Sequence, residues 1–354
     1  MYETIMWNYI NEEQNILKYL VSKKDLLTKS KELMNCKQIY FVAHGSSYNA
    51  AKSVAFLFSK LSGIKVRVMI PGDFMFNSCI DLEDRNSTWI CAISETGTSR
   101  GLISAIKVAK ERGVHVFCFT NTEGSPIDKF SDFSFFFGCG EENSNAKTKG
   151  YSVTLVLLIL LALKLAQERE MPNKALQREV QLELQEMISN IEDCISDSLD
   201  WLSTYKYGLG MEKLYVIGSG MNFGTAMEGS LKLMETMCIP TMYSDIIEFS
   251  HGMHRSLSTN SSIILICSEI EKGKFFKTFS YLLNKGFNVI LLNGSSINEK
   301  RSKNVLPLKN FIYTQSVLLF TIIIQVFSAF IPELNGVDPN RNSYNDFTEY
   351  IGTR

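Results

Sequence analysis

Short, wholly apolar runs recur along the chain, and each ends in a glycine- or serine-bearing turn that leads into a stretch of helical period. Ile39-Tyr-Phe-Val-Ala-His-Gly-Ser-Ser-Tyr and Leu214-Tyr-Val-Ile-Gly-Ser-Gly-Met-Asn-Phe match at an offset of 175, from 39 to 214. Trp89-Ile-Cys-Ala-Ile-Ser-Glu pairs with Ile263-Ile-Leu-Ile-Cys-Ser-Glu, and Gly113-Val-His-Val-Phe-Cys-Phe-Thr-Asn with Gly286-Phe-Asn-Val-Ile-Leu-Leu-Asn. An internal repeat of this kind is best read before anything else. Each half reads strand, helix, strand, helix, strand, and the strands are apolar throughout, as strands buried on both faces are. The pattern predicts an α/β protein of two tandem halves, each a doubly wound parallel sheet flanked by helices.

The remaining segments frame the halves. Residues 3–31 predict one amphipathic helix, with an N-terminal helical segment over 1–34 and a first α/β domain over 35–170. Residues 171–204 are charged and nearly free of Gly and Pro, which predicts a helical linker, followed by a second α/β domain over 205–335. The polar stretch 336–354 reads as a tail that closes the site. Two apolar stretches resemble membrane segments. Val153–Leu163 is short, and Val317–Ile331 is interrupted by Thr321, Gln325 and Ser328, whereas a bilayer crossing needs about 20 apolar residues. Both are expected to be buried core helices, with no membrane partner.

Composition narrows the class further. The formal net charge is -1, from 36 Lys+Arg against 37 Asp+Glu, so the chain lacks the basic footprint of a nucleic-acid partner. The eight cysteines form no C-x-x-C pair and mostly sit inside apolar runs, as buried thiols do in a reducing compartment. With no basic start followed by an apolar core at the N-terminus, the expected location is cytoplasmic.

In a doubly wound sheet, ligands bind beyond the carboxyl ends of the strands. The loop after the first strand is Ala43-His-Gly-Ser-Ser-Tyr, and a later one is Ser94-Glu-Thr-Gly-Thr-Ser. Together they present Ser46, Ser47, Ser94, Thr96, Thr98 and Ser99, each loop opening a helix whose free amides favour an anion. A cup rich in hydroxyls and poor in lysine suits a phosphate monoester on a neutral body, such as a sugar phosphate. The competing reading is that these Ser and Thr residues only cap the helices.

Three further segments join these loops: Asn145-Ala-Lys-Thr-Lys before the long apolar helix, Ala226-Met-Glu-Gly-Ser-Leu-Lys-Leu-Met-Glu, and Glu248-Phe-Ser-His-Gly. In this order, over roughly residues 35–345, the motifs resemble those of the double sugar-isomerase (SIS) domain proteins. The resemblance is to the isomerase half of glucosamine-6-phosphate synthase and to the fructosamine-6-phosphate deglycases. It implies that Ser46, Ser47, Ser94, Glu95, Thr96 and Ser99 contact phosphate and sugar. It also implies that Glu235 is the general base moving a proton between C1 and C2 of the open-chain sugar, and that His251 serves ring opening. Lys232 and Glu228 stand one and two turns before Glu235 on one helix face and join the catalytic candidates, the alternative being a solvated i,i+4 ion pair. His44, where the synthase has cysteine, reads as a site-lining residue or a packing and capping one.

The chemistry suits these roles. One carboxylate half-shielded in a cleft can serve two adjacent carbons, and an imidazole passes protons near neutral pH. Two departures from the synthase pattern favour the deglycase-like branch. The position matching its C-terminal lysine is about Asn345, and the sequence in hand has no glutaminase part. Glu248, His251 and His254 spread too widely for one tight metal set, and Gly218-Ser-Gly-Met-Asn-Phe-Gly departs from a dinucleotide fingerprint, so neither metal nor cofactor is expected. The expected function is cleavage of an amino-sugar or ketosamine 6-phosphate. Phosphosugar isomerisation and a non-catalytic phosphosugar sensor are the alternatives, and a homodimer sharing its sites is expected.

Overall fold

A computed structural model describes residues 4–23, 25–205, 211–341, 343–344 and 346–353. The chain begins with α1 (Ile5–Ser22), shorter than the helix the 3–31 pattern predicts. Its apolar periodicity fails at the charged run after Ser22, and a separate 3₁₀ turn covers Thr28–Leu33. The first half continues as β1 (Gln38–Ala43), α2 (Gly45–Ser62), β2 (Lys65–Met69), α3 (Pro71–Asn77), β3 (Thr88–Ile93), α4 (Arg100–Glu111), β4 (His115–Thr120), α5 (Pro126–Phe130) and β5 (Phe133–Phe136). Three long helices follow: α6 (Lys149–Glu168), α7 (Lys174–Ser189) and α8 (Ile191–Tyr205). The second half runs β6 (Lys213–Gly218), α9 (Met221–Met237), β7 (Thr241–Ser244), α10 (Ile246–His251), β8 (Ser261–Cys267), α11 (Lys272–Asn284), β9 (Asn288–Asn293), β10 (Val305–Pro307), α12 (Val317–Leu334) and α13 (Asp346–Tyr350).

The repeat in the sequence is a repeat in space. One parallel sheet has the order β2-β1-β3-β4-β5 and the other has the order β7-β6-β8-β9-β10, the same winding with each strand replaced by its counterpart. Strands β1, β3 and β8 are buried at every position, which is why, after one or two polar residues at their starts, their sequences are apolar rather than alternating.

Packing divides the chain into two compact units that exchange segments. One holds the first sheet with α2 to α6, α1 from Ile16 onward, and the C-terminal segment beyond Arg341. The other holds the second sheet with α8 to α12, and takes in the start of α1 and residues 143–148. In the first unit α6 lies against α2, and in the second α12 packs on α8 and α9. Both α6 and α12 are long and apolar enough to cross a membrane by length and composition, but the most apolar windows of the two are 83% and 89% buried within the protein. They are core helices.

Candidate functional site

In the first unit the strand order reverses between β1 and β3, and that crevice is where a doubly wound sheet takes ligands. Ala43 is paired with Ile93, so the loops after the two strands leave the sheet level with one another. The 44–47 turn and the 94–99 loop therefore start side by side. Gly45 opens α2 with φ +51, a left-handed conformation that suits glycine.

The 94–99 loop is fastened from below. The Glu95 carbonyl accepts from the Asn121 amide at 2.9 Å and from Thr120 Oγ1 at 3.1 Å, the Gly97 amide donates to Ser94 Oγ at 3.1 Å, and Thr96 and Thr98 share a 3.0 Å hydroxyl contact. Gly97 has φ +68, and a Cβ there would stand 2.2 Å from Ser125 Oγ. No other residue fits without moving the loop.

The helices that these loops open are left uncapped. Neither His44 at the start of α2 nor Ser99 at the start of α4 makes a side-chain capping hydrogen bond. The hydroxyls of Ser46, Ser47 and Ser99 are half-buried, and among the described residues they have no hydrogen-bond partner. Capping thus does not account for them, and two helix N-termini with their free amides stand open together. His44 is exposed as a residue, but its Nε2 packs toward Gly101 of α4, 3.0 Å from where a Cβ would stand. Partial burial of the ring holds its pKa below the ordinary imidazole value.

Glu95 departs from its neighbours. Its Oε2 lies 2.6 Å from where a Cβ on Gly150 would be, and the Gly150 amide donates to Glu142 Oε2 at 2.9 Å. Two carboxylates therefore meet at the first turn of α6, where amide dipoles favour negative charge. Burial, with the charge of Glu95 adding to it, pushes the nearby Cys139 thiol up to about 12. The C-terminal segment reaches the same region, since a Cβ on Gly352 would stand 3.3 Å from an Arg100 guanidinium nitrogen at the start of α4.

The second unit carries the other predicted residues, on α9 and α10. Glu228 and Lys232 are buried, 1% and 0% exposed, and Lys232 Nζ lies 3.1 Å from Glu228 Oε1. The solvated-pair reading does not hold. Gly229, between them, lets Ile324 of α12 and Val216 of β6 approach the helix backbone closely. Glu235 is exposed, contrary to a uniform cleft-facing triad. Seven residues place it within about 20° of Glu228 around the helix, so the difference is one of height along the axis. It sits in the last turn, just before left-handed Cys238 ends the helix. There Arg341 Nε donates to Cys238 Sγ at 3.1 Å, and Asn145 bonds Asn340 and Arg341, which brings Asn145 and residues 340–341 beside the end of α9. Asn345, the position matching the synthase lysine, lies outside the described residues.

His251 is the exposed last residue of α10. That helix is capped by Asp245, which accepts from the Ile247 amide at 2.7 Å and from Ser219 Oγ at 2.6 Å, tying α10 to the turn that opens α9. Its neighbour His254 is turned onto the Phe249 carbonyl, with Nδ1 3.2 Å away. Among the described residues no group of three His, Cys, Asp or Glu stands placed to hold a metal ion.

The counterparts of the first unit's loops are filled in the second. Gly218 pairs with Ile266, as Ala43 pairs with Ile93. The Met221 amide at the start of α9 donates to Gln315 Oε1 at 3.0 Å. After β8, the Glu269 carboxylate accepts from the Ser296 amide at 2.9 Å and its hydroxyl at 3.0 Å and pairs with Lys272, which holds its pKa below the usual carboxylate range. Sequence reading missed Gln315 and Glu269 as ligand-like groups, because Gln315 stands in no motif and Glu269 only ends the repeated strand segment 263–269. Only the comparison of the two halves exposes them.

The fold is α/β, with two parallel five-stranded sheets flanked by helices in a tandem SIS-like arrangement, and the comparisons agree. Residues 32–164 match the SIS domain family model. Glutamine–fructose-6-phosphate aminotransferase (isomerizing) of Clostridium perfringens is 24% identical over 96% of this chain and 58% of its own length, so the chain spans little more than half of that relative. A structure from Clostridium difficile 630 designated a phosphosugar isomerase superposes with a TM-score of 0.90 at 26% identity, covering 100% of this chain and 99% of that one. The C-terminal domain of glucosamine-fructose-6-phosphate aminotransferase from Francisella tularensis shares the fold, with TM-score 0.85 at 22% identity over 96% and 99% of the two chains.

Proposed function

We propose that the protein cleaves an amino-sugar or ketosamine 6-phosphate into a sugar 6-phosphate and an amine. The observation that carries the reading is the open crevice of the first unit: three unpartnered hydroxyls and two uncapped helix N-termini at the ends of β1 and β3. Each charge-assisted hydrogen bond to a phosphate there contributes roughly 1.5–3 kcal/mol. Ser46, Ser47, Ser94, Thr96 and Ser99 hold the phosphate end. Glu95 acts one step back, anchoring the loop at α6, because a carboxylate in direct contact with a phosphate would repel it.

Glu235 is the general base. It takes a proton from C1 of the open-chain ketosamine to give the 1,2-enaminol and returns it at C2. The C–N bond thereby becomes an imine, which water hydrolyses to aldehyde and free amine, so one water is consumed per cleavage. Such a base contributes about 10²–10⁴-fold to the rate. His251 opens the ring by moving a proton to and from the ring oxygen. The names of the relatives favour a second reading, aldose–ketose interconversion, which uses the same base and stops before hydrolysis. The free thiols, all eight of them, suit the reducing cytoplasm, and a homodimer is the assembly that the resemblance implies.

The test is to incubate the purified chain with 6-phosphorylated ketosamines, glucosamine 6-phosphate and fructose 6-phosphate, reading amine and the aldose and ketose phosphates separately. Release of amine supports cleavage. Sugar interconversion without amine gives the isomerase, and tight binding without turnover gives a sensor.

A further inference from the structure

The second unit repeats the winding of the first, but a side chain stands where the first leaves its crevice open. The chain turns from β6 into α9 through Gly220, which has φ +62 and so close a neighbour that a Cβ would stand 2.5 Å from Gln315 Oε1. Gln315 is 8% exposed. Its side-chain oxygen accepts from the Met221 amide at 3.0 Å, and its backbone carbonyl accepts from Asn222 Nδ2 at 2.8 Å. The backbone is bent to achieve this, because Gln315 and Ser316 both take left-handed conformations, with φ 52 and 54, which non-glycine residues adopt at a cost.

That strained turn is clamped from a third element. One carboxylate, Glu183 of α7, accepts from the amides of Ile312 at 2.9 Å, Tyr313 at 3.1 Å and Thr314 at 2.8 Å, and from Thr314 Oγ1 at 2.8 Å. Strain held in place by four donors on one carboxylate marks a group whose position matters.

We propose that Gln315 is a positioning residue, an internal ligand that occupies at α9 the place the first half leaves open at α2, and that it fixes the helix carrying Glu235. The part concerning Glu235 rests on the reading of the preceding section. The occupancy itself does not.

The experiment compares wild type with Gln315→Ala. Inorganic phosphate is the probe, titrated by calorimetry and by thermal unfolding against chloride at matched ionic strength. Gln315→Ala should bind one more equivalent of phosphate than wild type, and its melting temperature should rise with phosphate more steeply. Gln315→Glu, which keeps an acceptor for the Met221 amide, should bind no extra phosphate. With a turned-over sugar phosphate, Gln315→Ala should lose about tenfold in kcat with KM little changed, as displacement of a base predicts. Equal phosphate stoichiometry in wild type and Gln315→Ala overturns the proposal, whatever the wild type's own affinity. Should Gln315→Ala fail to fold, Gln315→Met keeps the volume and removes the acceptor. Hydrogen exchange at the Met221 amide should then accelerate at least tenfold, and unchanged protection overturns the proposal.

Discussion

Replacing Lys232 by methionine is the sharpest test of the packing behind α9. The ammonium and its partner Glu228 are 0% and 1% exposed and lie 3.1 Å apart, so water does not solvate either charge. Methionine nearly preserves the volume of the side chain but leaves the Glu228 carboxylate buried without its countercharge. Breaking such a pair from one side costs about 3–5 kcal/mol. A compact unit of about 150–250 residues loses about 2–4 °C of Tm per kcal/mol, so the expected fall is roughly 6–20 °C. Removing both charges, as Glu228→Gln with Lys232→Met, should recover most of that loss, because an apolar or neutral substitute for a buried ion pair is often neutral or stabilising. Differential scanning calorimetry of the wild type, both single variants and the double variant forms a complete cycle. Single variants that unfold within about 0.5 kcal/mol of wild type would refute the burial argument, since that is the range of ordinary surface substitutions.

The crevice and the second unit make further predictions. Gly97→Ala forces a left-handed alanine, costing about 1–2 kcal/mol, and drives its Cβ into Ser125, so sugar-phosphate affinity by calorimetry should fall at least tenfold. Glu269 has a folded-state pKa below the unfolded one because of Lys272 and Ser296, so its contribution is present above the ordinary carboxylate pKa of about 4.3 and is lost as pH falls through the folded value. Glu269→Gln should therefore melt below wild type near neutral pH, and the two curves should converge on acidification. Retention of the full difference at pH about 3 would contradict the assignment.

How far the sequence reaches depends on the range of the interaction. Strands such as Tyr40–Ala43 and Ile263–Cys267 announce themselves because burial on both faces demands unbroken apolar residues. The 94–99 loop was legible because its hydroxyls and Gly97 are contiguous. The fate of Glu228 and Lys232 was not, since an i,i+4 pair has the same spacing on a wet face as on a dry one and only α12 and β6 decide which. Glu95 reads as part of a phosphate loop until Gly150, 55 residues away, is seen to leave room for its carboxylate at α6 (95 to 150). Gln315 reaches across 94 residues to Met221 from a turn whose left-handed backbone no residue type there advertises. The single helix expected over 3–31 stops at Ser22, because amphipathic period alone does not register a local run of charge.

The most direct test of the account is the turnover of Glu235→Gln with a 6-phosphorylated ketosamine. Glutamine keeps the size and hydrogen bonding of the side chain but has no basic carboxylate to accept the C1 proton. Sugar-phosphate affinity should stay within about threefold of wild type, since the proposed phosphate contacts lie on the 44–47 turn and 94–99 loop, while kcat should fall by about 10²–10⁴-fold. Solvent deuterium should cease to enter C2 of the product in the same proportion. Wild-type turnover and deuterium exchange in Glu235→Gln would contradict the account and remove Glu235 from the chemistry.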